Sequence, residues 1–149
     1  MSEHDEFIRR AIALADSSKG NGNHPFGAVL VHNNDVILSA ENTVITENNP
    51  THHAEMNLVN LAWKSLSADI IKASVLYTSC EPCPMCTGAI FWSGIRKVVY
   101  SLPATKLGEI ANDKFCQSCC DLFDRADDKT DVIGPVLPDE GELAHKDFW

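Results

Sequence analysis

Two short stretches about thirty residues apart, His53-Ala54-Glu55 and Pro82-Cys83-Pro84-Met85-Cys86, must meet at one point in any fold that uses them. One imidazole and two thiols are three soft or borderline donors. A structural zinc site closes its tetrahedron with four protein ligands, whereas a catalytic one leaves a position for water, and three donors fit the second case. Glu55 is then a carboxylate outside the ligand set. Bound zinc lowers the pKa of its water toward neutrality, which puts a zinc-bound hydroxide within reach as nucleophile, and Glu55 is placed to carry its proton.

The two stretches also constrain the fold around them. Each follows a loop and opens a helix, the first continuing through Leu58, Leu61 and Ala62, the second through Ile90 and Trp92. Helix starts present unpaired backbone N–H groups and the positive end of the helix, so Cys83 and Cys86 ionise easily there. A two-residue spacing lets both sulfurs reach one ion from a single turn. His53 and Glu55 are also two apart, a spacing that shares no face in a helix interior, but a first turn relaxes that rule.

Other readings of the same residues differ in what they leave unexplained. A lone Cys-x-x-Cys is also a redox pair or half of a structural zinc site. A non-catalytic, zinc-stabilised interaction module has no use for Glu55. His52 reads as a solvated or packed neighbour. Cys116-Gln117-Ser118-Cys119-Cys120 has no histidine or second cysteine pair near it, so these thiols read as packed in a helix, where cysteine behaves as a small hydrophobe.

At 149 residues the chain suits one domain spanning 1–149, large enough to enclose a dry pocket. The acidic start Met1-Ser2-Glu3-His4-Asp5-Glu6 lacks the basic end and apolar core of a signal peptide, and no apolar run reaches membrane-spanning length. The expectation is a cytoplasmic protein with most cysteines as thiols or thiolates. The net charge of -9, from 21 acidic and 12 basic residues without a dense basic run, argues against a large polyanionic partner such as nucleic acid.

Periodicity supplies the remaining elements. Phe7, Ile8, Ala11, Ile12 and Ala15 predict a helix that Gly20-Asn21-Gly22 stops. Gly27 to Val31 and Val36 to Ala40, joined by His32-Asn33-Asn34-Asp35, predict a hairpin. Ser74 to Thr78 and Arg96 to Tyr100 predict further strands. Beyond Pro103 the pattern predicts a short helix over Lys114 to Phe123, a last strand over Val132 to Val136 and a terminal helix over Asp139 to Trp149. Two hairpin strands followed by helix, strand, helix and strand imply an α/β fold with a mixed sheet and helices on both faces.

With these residues in view, the chain resembles the cytidine deaminase-like superfamily and is most similar to bacterial guanine deaminases. The resemblance rests on Asn49-Pro50-Thr51-His52-His53-Ala54-Glu55 and on Glu81-Pro82-Cys83-Pro84-Met85-Cys86-Thr87-Gly88-Ala89-Ile90, the His-x-Glu and Pro-Cys-x-x-Cys pattern of zinc nucleobase deaminases. Pro25-Phe26-Gly27-Ala28-Val29 and Tyr77-Thr78-Ser79-Cys80 narrow it. The resemblance implies a three-layer α/β/α sandwich around a five-stranded mixed sheet and a homodimer. It also implies one zinc ion per chain held by His53, Cys83 and Cys86, with Glu55 as catalytic proton carrier.

Substrate contacts are carried over in the same way. Asn42 would bond the base, Phe26 would line the pocket, Ala54 would offer its backbone and Asp113 would accept from ring N–H groups. Trp92 stands as a substrate contact or as a core or dimer residue, and Phe148 and Trp149 are similar to the aromatic lid of fungal cytosine deaminases. The implied reaction turns guanine into xanthine and ammonia. Cytosine, another aminated purine or triazine, and adenosine in transfer RNA are the alternatives.

Overall fold

The computed structural model describes residues 2–112, 115 and 117–149. The chain runs α1 (Asp5–Gly20), β1 (Gly27–His32), β2 (Asp35–Glu41), α2 (Ala54–Ser65), α3 (Ala68–Ala73), β3 (Val75–Cys80), α4 (Pro84–Ser93), β4 (Lys97–Leu102), α5 (Ala104–Ala111), α6 (Cys119–Phe123), β5 (Asp131–Ile133) and α7 (Pro138–Leu143). Among the described residues, the strands form one five-stranded sheet in the order β2-β1-β3-β4-β5. β1 is antiparallel to both neighbours, whereas β3, β4 and β5 run parallel. The sheet is therefore mixed.

Side chains alternate along the central strands and feed two separate cores. Ala28, Leu30, Leu76 and Val98 pack with Leu58 and Ala62 of α2 and Ile90 of α4. Val29, Val31, Tyr77 and Val99 pack on the other face with Phe7, Ile8 and Ile12 of α1. A sheet covered on both sides needs near-continuous apolar strands, and Gly27-Ala28-Val29-Leu30-Val31 is one. The result is the α/β/α sandwich expected from the sequence. Gly27 lets the first layer close, since a Cβ there would lie 2.5 Å from Leu14 Cβ and collide with the Ala11 carbonyl.

Each hairpin strand extends one residue further toward the turn than the apolar pattern, because polar His32 and Asp35 pair across it, and β2 also gains Glu41, paired with Gly27. Asn33 and Asn34 between them have φ of 51° and 64°, the positive values that a two-residue type I′ turn requires. α4 ends at Gly94, whose φ of 96° forms a left-handed cap.

Three expectations change in the second half. The helix sought in Lys114 to Phe123 is confined to Cys119–Phe123 among the described residues, Lys114 and Cys116 lying outside them. The last strand is Asp131–Ile133, because Pro135 has no N–H for the ladder. The helix over Asp139 to Trp149 stops at Leu143, and Asp147 with φ of 59° turns the chain back toward α1. α3 and α5 are additional. No helix among the described residues is long and apolar enough to cross a membrane.

Candidate active site

α2 and α4 lie on the same face of the sheet, and their N-termini converge. His53 occupies the N-cap of α2 and Cys83 the N-cap of α4, both in extended conformation. Pro84 then starts α4 at the position where its missing N–H is not needed. Cys86 follows in the first turn. His53 Nδ1 lies 3.6 Å from Cys83 Sγ and 3.6 Å from Cys86 Sγ, and the three donor atoms fall within 4.8 Å of one another.

These distances match a zinc tetrahedron. With Zn–S of about 2.3 Å and Zn–N of about 2.05 Å at tetrahedral angles, nitrogen and sulfur sit about 3.6 Å apart. The donors also fit chemically. The hydrogen bond from Cys86 holds Cys83 down to about 4, with His53 adding to the effect, so one sulfur is a thiolate before any metal arrives. Cys86 is pushed up by the same bond and by burial, and metal binding would release its proton.

Glu55 is buried in the first turn of α2. Burial pushes its carboxyl up to about 7, and the neighbouring Cys83 charge acts in the same direction. The group can hold or give up a proton near neutral pH. It faces a cavity of about 350 Å³, lined also by His24, Phe26, His53, Cys80, Glu81, Cys83, Leu107, Ala111 and Trp149. Glu81 is fixed within this wall. Its Oε1 accepts from Ala104 N and its Oε2 from Cys119 N, both at 2.9 Å, so one carboxylate holds the first residues of α5 and α6.

Aromatic rings roof the cavity. Trp149 stacks on His24 with centroids 5.7 Å apart, and its indole Nε1 donates to His145 Nδ1 at 2.9 Å. Phe148 meets both His24 and Trp149 edge to face. Phe26 packs beneath, against His145. Lys19 of α1 donates to the Lys146 carbonyl at 2.6 Å and ties this segment down.

The sequence-predicted residues therefore separate into groups. His53, Glu55, Cys83, Phe26 and Trp149 share the cavity wall, with Cys86 behind them and Phe148 in the roof. Asn42 and Ala54 are buried but do not line the cavity, and Asn42 Oδ1 accepts from Val44 N in a local turn. Trp92 does not line the cavity: it is 79% exposed on α4, packed edge to face on Phe91. Asp113 lies outside the described residues. His52 turns to Glu47, whose Oε2 is 2.7 Å from Nδ1 without the alignment of a hydrogen bond.

Sequence reasoning missed His24, Glu81, Leu107, Ala111 and His145. Pro103 followed by Leu107, Ile110 and Ala111 was a readable helix signal, whereas nothing local marks the two histidines. Cys119 is fully buried in the core, in keeping with its reading as a packed thiol, and burial pushes it up.

Residues 1–102 match the family described as cytidine and deoxycytidylate deaminase zinc-binding region. A probable cytosine deaminase of Schizosaccharomyces pombe is 38% identical over 156 residues, covering 100% of this chain and 94% of its own. Guanine deaminase of Bacillus subtilis is 42% identical over 111 residues, covering 74% of this chain and 71% of its own. A solved structure of guanine deaminase from that organism has a TM-score of 0.69 at 36% identity, covering 91% of this chain and 86% of that one. A tRNA-specific adenosine deaminase of Bacillus subtilis is 38% identical over 100 residues, or 67% of this chain and 62% of its own. The chain belongs to the cytidine and deoxycytidylate deaminase family and is a nucleobase or nucleoside deaminase of that zinc-binding group.

Proposed function

We propose that the protein hydrolyses an amino group from a free nucleobase, guanine to xanthine and ammonia being the first assignment. The observation that carries this reading is the convergence of His53, Cys83 and Cys86 beside buried Glu55, at the floor of a roofed cavity. Those three residues would hold zinc, one ion per chain, which would supply an activated water as nucleophile. A Glu55 carboxylate oxygen takes the water's proton and delivers it to the ring nitrogen next to the reacting carbon. Glu55 then takes the second proton, from the hydroxyl now on that carbon, and passes it to the amino group, whose C–N bond breaks as the C=O forms, so water is consumed and ammonia leaves. Phe26 and Trp149 offer apolar faces to a flat base and exclude bulk water.

A roof of aromatic rings and an acidic surface both favour a small base over a transfer RNA loop, which needs a basic surface and room for a flipped nucleotide. The guanine assignment draws on the 42% identity to guanine deaminase. Cytosine is the second reading, because the cytosine deaminase relative aligns along the whole chain, including the residues after Leu102 that supply the wall and roof. We also propose a homodimer formed through the outer face of α2 and α4, where Leu61, Trp63 and Trp92 are exposed. Cysteines present as thiols suit a cytoplasmic enzyme.

The deciding experiment is ammonia release by zinc-loaded protein from guanine, cytosine, adenine, cytidine, guanosine and ammeline. Guanine is expected to give the highest kcat/KM. Release from cytosine alone would transfer the assignment and leave the mechanism standing, and release only from adenosine in transfer RNA would replace the free-base reading.

A further inference from the structure

The polar groups that the described residues place on the cavity wall divide by what already occupies them. His53 and Cys83 converge with Cys86 on the metal position. Glu55 is the proton carrier. Both oxygens of Glu81 accept backbone N–H groups. Cys80 offers at most a thiol, a weak donor and acceptor. His24 remains. Its contacts are made with the ring itself, stacked on Trp149 at 27° between planes and set at 88° to Phe148. No hydrogen bond among the described residues engages either ring nitrogen.

We infer that His24 reads the polar edge of the base, one in-plane ring nitrogen bonding a carbonyl or ring N–H of the substrate while the ring face rests on Trp149. The inference rests on the free-base reading above. Stacking fixes the imidazole plane and leaves its nitrogens pointing along that plane, the direction in which a flat base presents its own donors and acceptors. A neutral imidazole carries one donor and one acceptor, and so serves an edge with either a C=O or an N–H group. Burial favours that neutral form here. The apolar residues of the wall can sense shape, but only a polar side chain rejects a base with the wrong edge, because the unmet partner stays buried and unpaired. His24 is therefore a specificity-determining residue, distinct from the metal set and from the proton carrier.

Two variants of the zinc-loaded protein test this assignment. His24→Phe keeps an aromatic platform for Trp149 and removes both nitrogens, whereas His24→Gln keeps a donor and an acceptor. Guanine and cytosine are titrated into each protein by calorimetry, and kcat and KM are measured by ammonia release. For the preferred base, His24→Phe should weaken binding and raise KM roughly five- to tenfold, the size of one neutral hydrogen bond. Its preference between the two bases should narrow. Zinc content and melting midpoint should match the wild type, and His24→Gln should recover part of the affinity.

Unchanged affinity in His24→Phe would overturn the assignment. Equal losses in both variants would overturn it too, because the ring would then act by packing alone. If the wild type binds a base yet releases no ammonia, the hydrolytic reading fails while the affinity comparison still decides the role of His24. Binding of neither base by the wild type would reject both.

Discussion

A carboxyl group that must take a proton and return it works best with a pKa near the working pH, and burial together with Cys83 brings Glu55 to about 7. Glu55→Gln keeps the shape but cannot carry a proton. Its kcat is expected to fall by about two to four orders of magnitude, with the zinc-to-protein ratio and circular dichroism unchanged. Undiminished turnover would reject the role. His145 titrates in the opposite sense. Burial, with Lys19 nearby, lowers it from 6.5 to about 4, so between those values the unfolded chain binds more protons than the folded one. Stability from this group is therefore present above about 6.5 and lost as pH falls toward 4. Melting curves should show the wild-type midpoint dropping more steeply over that window than the His145→Gln midpoint. Parallel curves would show that His145 does not titrate on unfolding.

α5 and α6 depend on a tether outside themselves. Glu81 spends each oxygen on one helix start, and α5 in turn brings Leu107 and Ala111 to the cavity. Glu81→Gln turns one acceptor into an amide donor facing a buried N–H, a loss of about 1–3 kcal/mol. The expected outcome is a lower melting midpoint and a raised KM with zinc retained, read from calorimetry and steady-state kinetics. An unchanged KM would detach α5 from substrate binding. The same tether explains what the sequence hid. α1, the hairpin and the two ligand-bearing helices were legible because each carries its own periodicity, turn residues or cap. α6 has only five residues and its start is held by a carboxylate 38 residues away, whereas α5, tethered alike, also carries the Leu107, Ile110 and Ala111 repeat. His24 and His145 escaped for a related reason: their importance lies in rings contributed by the segment 145–149, which no local pattern brings near residue 24.

The whole molecule exposes Trp63 and Trp92 on neighbouring helices, and Trp63 Nε1 donates to the Ser93 carbonyl at 3.1 Å, joining α2 to the end of α4. Two exposed large aromatics on adjoining helices suit a protein interface. Sedimentation should therefore give a dimer for the wild type and a monomer for Trp92→Glu, in which a charge would have to be buried without a partner. A monomeric wild type at all concentrations would sink the proposal.

The residues proposed as metal donors and proton carrier all fall between His53 and Cys86, inside the stretch shared with the family, which ends where β4 ends at Leu102. Leu107, Ala111 and Trp149 come after it. The chemistry thus lies on one length of chain, whereas the pocket draws on two, His24 and Phe26 before Leu102 and Leu107, Ala111 and Trp149 after it. Substitutions after Leu102 reshape only part of the pocket and leave the residues proposed for the chemistry in place. A change of base made through the tail alone must therefore stay within what His24 and Phe26 accept.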